Sequence, residues 1–407
     1  MAKLTRAEKR RRRQRRKIIR GVIEAAGLIL LAIICVLLWK SLGGGSGQTA
    51  APTATPAPLL VEPTPTPEPT QAPTQEPTAT PEPPPTPEPT PVSIVLTAAG
   101  DCTLGGDMRG SSEKRFASAV QAADGSVDYD YCFKNVASIF EADDITLVNL
   151  EVVLTDSSDY LKREDKKYIM RGKPEYVNML TGSSVEVCNI ANNHITDFGD
   201  EGIQWTADLL DENGLKYCGY GYSATMDVKG VRFGFVGINY WTTREADFKA
   251  QVKTMREQCD VLIVSIHWGT ELEYYAEARQ QAWGKLAVDC GADLVVGHHP
   301  HVLEGIEEYN GVNIVYSLGN FCFGGKANPT DKDTFIYQHE FIVDPASGKL
   351  TGGSFRVIPC KITSVPDDSS NNYQPTPIED EEDQQRLLEK IEYYSRKLSN
   401  PVKLTGE

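Results

Sequence analysis

From Ser93 onward, apolar runs too short for helices alternate with longer stretches patterned for one buried face. Residues 94–99, 145–150, 185–190, 231–238, 261–266 and 294–296 read as buried strands. Residues 201–210 read as a helix entered through Thr196 to Asp200 and followed by Asn213 and Gly214, and 272–290 as a long helix closed by Gly291. Residues 306–309 and 312–317 have the spacing of a hairpin turned by Asn310 and Gly311. Strands alternating with helices predict an α/β fold with covered sheet faces over residues 93–360. The remaining segment, 361–407, is acidic and largely polar through Asp380. Thereafter Leu387, Ile391, Tyr394 and Leu398 form one apolar helical face suited to packing.

Polar residues with ligand chemistry recur at one kind of place in this pattern. Asp101, Glu151, Asn193 with His194, His267, and the pair His299 and His301 each follow directly on a strand-like run. Open α/β sheets place their chemistry at the carboxyl ends of their strands. A single Asp there is more often a turn or cap residue. Of the six histidines in the chain, however, four belong to this set and a fifth, His298, adjoins it. Neutral imidazole is the commonest transition-metal ligand, and an H-x-H pair can aim two nitrogens at one site, so the clustering predicts a metal centre.

Upstream of Ser93 the pattern is of another kind. The first twenty residues hold eleven Lys or Arg against the single acid Glu8, and residues 21–39 are almost wholly apolar. Nineteen residues make a helix of about 28 Å, close to the thickness of a bilayer core. The basic arm 1–20 is therefore expected to remain cytoplasmic, the span 21–39 to anchor the chain in the membrane, and everything beyond to lie outside the cell. A cleaved signal peptide is the competing reading. No small-x-small site follows closely, and the run is longer than a usual signal core. Residues 40–92 contain sixteen of the 25 prolines with almost no large apolar side chain. They predict an extended, coreless linker.

Charge divides the chain in the same place. Residues 1–40 carry twelve basic and two acidic side chains, so within a total of −15 the remainder stands at −25. A surface this acidic disfavours nucleic acid as a partner, and an anionic ligand must be held locally, for example through cations. Nine cysteines, one in the apolar span and none in a C-x-x-C arrangement, leave pairing open.

The motifs GDCTLGGD from Gly100, NLE from Asn149, NIANNHITDFGDEG from Asn189, IHWGTE from Ile266, GHHPHV from Gly297 and YSLGNF from Tyr316 together resemble the CapA capsule-synthesis domain. The likeness runs in order from about Ile94 to Pro359. That family is associated with poly-γ-glutamate production at the bacterial surface, and its domain is similar to the calcineurin-like metallophosphoesterases. The resemblance implies a four-layer α/β/β/α sandwich with a two-cation site for Mn, Fe or Zn, liganded by Asp101, Glu151, Asn193, His267, His299 and His301. It further implies that His194, oriented by Asp197, serves catalysis. Two departures stand out. The superfamily's D-x-H motif has Thr103 at its third position here, removing a nitrogen ligand from the first cation, and Glu151 replaces a bridging Asp.

Two functional classes follow. One is a membrane-anchored extracellular hydrolase acting on a phosphoester or an anionic envelope polymer. The other is a non-enzymatic metal-binding subunit of a membrane polymer synthase or export complex. A ligand set without thiolate and with one position open favours the first over a closed structural site.

Overall fold

A computed structural model describes residues 90–160 and 166–405. The basic arm, the apolar span and the proline-rich stretch up to residue 89 lie outside the described residues. Among those described, no helix is long and apolar enough to cross a membrane.

The fold is mixed α/β, built on two large sheets. The first runs, in spatial order, Thr376–Pro377, Lys349–Lys361, Asp333–Asp344, Val92–Thr103, Ile145–Leu150, Val187–Asn189 and Lys216–Cys218, with Asn320–Phe323 joining the far end of Val92–Thr103. The second runs Ile306–Tyr309, Val312–Val315, Leu294–His298, Val261–His267, Val231–Asn239 and Ser223–Val228. The inner strands of the second sheet are parallel and both edge strands antiparallel. A separate three-stranded sheet joins Gly106–Asp107, Met170–Gly172 and Val153–Leu154.

Period-two alternation explains the layering. Ile94, Leu96, Ala98, Ile145, Leu147 and Val187 of the first sheet share one buried cluster with Val261, Ile263, Leu294 and Val296 of the second, so these faces pack on each other. The alternate residues Ala99, Val148 and Cys188 pack instead with Phe116, Phe140, Leu180 and Leu210, from helices Ser112–Ala119, Ala137–Phe140, Val177–Thr181 and Gly199–Glu212. On the outer face of the second sheet, Val236, Leu262, Val264 and Val295 meet Phe248, Val252, Trp283 and Ala287 of helices Glu245–Arg256 and Ala278–Asp289. Helix Glu381–Ser395, N-capped by Asp380, adds Leu387 and Ile391 to the cluster between the sheets.

Several elements differ from the sequence reading. Helix 272–290 begins only at Ala278. The preceding residues form a loop in which Gly269 and Leu272 have φ of +80° and +63° and the Leu272 amide donates to the Pro300 carbonyl at 2.8 Å. Asp333–Asp344 and Lys349–Lys361 form a long hairpin that the sequence reading did not anticipate, because glycines and exposed positions dilute the alternation of its second strand. The eight cysteines of the described residues are free thiols, and all but Cys259 are buried as small core side chains.

Candidate metal centre

The face of each sheet that is apolar in the core turns polar at the strand ends. Asn149 follows Ile145 and Leu147 in alternation, Asn189 follows Val187, His267 follows Val261 and Ile263, and His298 follows Leu294 and Val296. Asp101 reaches the same space by a bulge. Ala99 and Asp101 pair with the consecutive residues Val148 and Asn149, so Gly100 is the extra residue and the alternation is inverted beyond it. Asp101 thereby turns its side chain into the space between the sheets, while Cys102 faces the helices. Gly100 is required there, since a Cβ would lie 2.2 Å from the Gly319 carbonyl oxygen.

The structure brings five of the six predicted ligands together as two groups of donor atoms, Glu151, His267 and His299, and Asp101, Glu151 and His301, and sets the sixth, Asn193, against His267. Glu151 is common to both. In the first, His267 Nε2 lies 3.1 Å from His299 Nδ1, 3.6 Å from Glu151 Oε1 and 3.0 Å from Asn193 Oδ1. In the second, His301 Nδ1 is 3.0 Å from Asp101 Oδ2, and its Nε2 is 3.9 Å from Glu151 Oε1. His299 and His301 are held at φ of +101° and +58°, values that L-residues rarely adopt and that cost about 1–3 kcal/mol each. The turn that aims both rings inward is thus strained.

Electrostatics test whether these residues suit a cation. Both Glu151 carboxylate oxygens are buried and accept no hydrogen bond. Burial, reinforced by the Asp101 charge, pushes the Glu151 carboxyl well above its usual range. Burial disfavours a proton on His301 as well, yet the Glu151 and Asp101 carboxylates outweigh it and raise this imidazole to about 9. For Asp101, burial is outweighed in turn by the hydrogen bond and charge of His301, leaving it lowered. His299 is pushed down to about 3, and His267 well below its ordinary value, by burial and by neighbouring imidazoles. A buried carboxyl group common to both clusters, with no hydrogen bond on either oxygen, is costly as it stands. Divalent cations fit it.

His194 and Asp197 lie beside the centre. His194 Nδ1 is 2.8 Å from Asp197 Oδ2, and the fully buried Asp197 also accepts from the Met170 amide at 2.7 Å and pairs with Lys166 at 2.6 Å. Lys166 additionally donates to the Asn193 carbonyl, tying this network to a ligand residue. Sequence reasoning missed Lys166, which no strand end announces. Asn149 was missed too, although it stands in a quoted motif. Its Nδ2 donates to Asp101 Oδ1 at 2.8 Å and lies 3.3 Å from His267 Nδ1. Trp241 is 48% exposed and stands edge-on to His299, ring centroids 4.5 Å apart, forming an aromatic wall. The sixth histidine, His339, stays apart and contacts Tyr337.

A family profile described as bacterial capsule synthesis protein PGA_cap matches residues 95–325. The PGA biosynthesis protein CapA of Bacillus subtilis is 33% identical over 233 residues, covering 52% of this chain and 61% of that protein. Capsule biosynthesis protein CapA of Bacillus anthracis is 33% identical over 239 residues, covering 52% and 58% respectively. The chain thus spans about three-fifths of the length of these two relatives. A probable polyglutamine synthesis accessory protein of Mycobacterium tuberculosis is 28% identical over 279 residues, covering 59% of this chain and 72% of its own length. Among solved structures, a phosphatase of Mycoplasma pneumoniae aligns with TM-score 0.41 and 16% identity over 66% of this chain and 95% of that one.

Proposed function

The chain belongs to the PGA_cap family of bacterial capsule synthesis proteins, and from that premise we propose that it is a metal-dependent hydrolase of phosphoester or related bonds in the assembly of an anionic envelope polymer. The observation that carries this reading is Glu151: fully buried, without a hydrogen bond on either oxygen, and common to both ligand groups. The architecture is read as a four-layer sandwich of metallophosphoesterase type. Glu151, Asn193, His267 and His299 would hold one cation, and Asp101, Glu151 and His301 the other. Two such cations, when bound, supply Lewis acidity to a phosphoryl oxygen and lower the pKa of water.

The remaining steps belong to the chain itself. Asp197 accepts the Nδ1 proton of His194, which fixes the tautomer and leaves Nε2 to carry a proton to the leaving oxygen. Lys166 stands 2.6 Å from the buried Asp197 and gives that side chain a second partner while it holds the ring. Trp241 restricts access of water over His299 and offers a flat face to an incoming group. We further place the domain outside the cell, anchored by residues 21–39 and held off the membrane by the proline-rich stretch, beside membrane subunits of a polymer synthase.

The test uses the purified full chain in detergent, loaded with Mn²⁺ and assayed on an aryl phosphate and on poly-γ-glutamate. Turnover of either, abolished by chelation and restored by Mn²⁺, is the expected result. A metal-replete protein that turns over neither substrate but supports polymer production in cells would replace the hydrolase with a metal-binding subunit of the synthase.

A further inference from the structure

We propose that Asn320, together with the Thr103 hydroxyl, completes the Asp101–Glu151–His301 position as oxygen donors, making it a site for a hard divalent ion such as Mg²⁺ or Mn²⁺, chemically unlike its neighbour. This rests on the two-cation reading above and assigns residues that reading leaves idle.

The two ligand groups are unequal. His267 and His299 give one position two nitrogens, whereas the other donor group holds one imidazole, His301, with His298 Nδ1 standing 3.6 Å from Asp101 Oδ1, and lacks the nitrogen that Thr103 displaces. Two buried oxygens without hydrogen-bond partners, Thr103 Oγ1 and Asn320 Oδ1, belong to the strand that carries Asp101 and to the strand paired with it. Asn320 is the parallel register partner of Asp101, on the side opposite Asn149. Partners in register send their side chains to the same face of a sheet, and the Asn149 amide does reach the Asp101 carboxylate at 2.8 Å. Asn320 is 3% exposed. Its Nδ2 donates to the His301 carbonyl at 3.0 Å, which fixes the orientation of the amide and leaves Oδ1 as the free end. That oxygen is buried and accepts no hydrogen bond. Thr103 lies two residues beyond Asp101, is fully buried, and its Oγ1 is likewise unpartnered.

An oxygen left bare in the interior is costly, and two of them, one two residues beyond Asp101 and one on its register partner, are not explained by packing. A cation at this position would take both lone pairs. The resulting donor set holds four oxygen residues, Asp101, Glu151, Thr103 and Asn320, with one nitrogen from His301, and oxygen-dominated sets select hard ions. The other set, with two imidazoles, the Asn193 amide oxygen and Glu151, suits Zn or Fe.

The experiment titrates the demetallated full chain with Mn²⁺ and separately with Zn²⁺ by calorimetry. Elemental analysis gives stoichiometry, and electron paramagnetic resonance reports Mn–Mn coupling. Wild type should bind two ions with distinct affinities. Asn320→Leu should weaken the Mn²⁺-preferring position at least about tenfold and abolish the coupling, while the Zn²⁺-preferring position is unchanged. His299→Ala should do the converse. Asn320→Asp keeps an oxygen and loses the donor to His301, so it should retain the ion; if it is as defective as Asn320→Leu, Asn320 merely positions His301 and the proposal falls. Thr103→Val, nearly isosteric, should weaken the same position and keeps the test decisive should Asn320→Leu fail to fold. Wild-type affinity at both positions in Asn320→Leu and Thr103→Val overturns this assignment alone, whereas a wild type that binds no ion overturns the two-cation reading with it.

Discussion

Replacing Glu151 by Gln removes one charge from the point shared by both ligand groups and keeps the shape of the side chain. Burial raises the folded-state pKa of this carboxyl. A raised carboxyl contributes stability that is fully present below the unfolded value, about 4.3, and is lost as pH rises through the folded value. The metal-free wild type should therefore lose stability as pH rises from about 4.3 towards neutrality, and Glu151→Gln should flatten that slope. Cations act in the opposite direction. At a free concentration of one hundred times Kd, one bound ion stabilises the fold by about 2.7 kcal/mol, worth roughly 4 °C in Tm for a domain of this size. Differential scanning calorimetry between pH 5 and 8, with and without Mn²⁺, measures both effects. The variant should melt no lower than wild type without metal and should show almost none of the Mn²⁺-induced rise. A variant that keeps the full rise, or whose metal-free form melts several degrees lower at neutral pH, would show that Glu151 is a structural residue and refute the reasoning.

His194→Ala should retain its metal and lose at least about a hundredfold in kcat, close to 2.7 kcal/mol of barrier; equal turnover per metal-replete molecule would leave His194 as a turn residue paired with Asp197. Asp333→Asn breaks a two-pronged contact with Arg386 at 2.8 and 2.9 Å and a third with Lys390 at 2.7 Å, which together tie helix Glu381–Ser395 to strand Asp333–Asp344. The loss should be roughly 2–3 kcal/mol in chemical denaturation, below the value for a fully buried pair because Arg386 is half exposed. Burial pushes the Asp333 carboxyl up, but Arg386 and Lys390 hold it far below the usual range. Its contribution is present above about pH 3.9 and lost as pH falls through the folded value, so wild type and variant should converge in acid. Protease added to intact wall-stripped cells should remove the domain and leave a small membrane-held fragment, and survival of the full chain would contradict the proposed topology.

The strands that carry ligands were legible because their signal is local. Ile94 to Ala99 or Val261 to Ile266 is apolar wherever it is read, and a ligand residue directly beyond such a run has one place to go. The Asn310–Gly311 hairpin was legible for the same reason, its turn being built on φ of +52° and +79°. Other features depend on residues distant in sequence. Asp101 faces its partners only because Gly100 bulges against strand Ile145–Leu150, and residue 100 must be glycine because the Gly319 carbonyl passes beside it. Lys166 joins Asp197 from a segment with no pattern of its own, and Asn320 reaches Asp101 across more than 200 residues through sheet pairing alone. The start of helix Ala278–Asp289 was misplaced because the apolar Leu272, Tyr274 and Tyr275 mimic a helical face, whereas the Leu272 amide is committed to Pro300.

The protonation pattern bears on how so acidic a chain would handle an anion. Residues 41–407 carry a net charge of −25, but at physiological ionic strength a field is screened within about 8 Å, so the charge at the site decides. Without cations, burial favours the protonated form of Glu151, the facing carboxylates favour the protonated form of His301, and His301 favours ionised Asp101, so the favoured charges nearly cancel. Two divalent ions would displace both protons, and four positive charges against two carboxylates leave the site at about +2. Anion recognition in this scheme is created by metal loading rather than by Lys or Arg. The placement of the ligands on the inner faces of both sheets has a corresponding role: it removes Glu151 from water, so that its carboxyl is raised and the charge of the site stays low until the ions arrive.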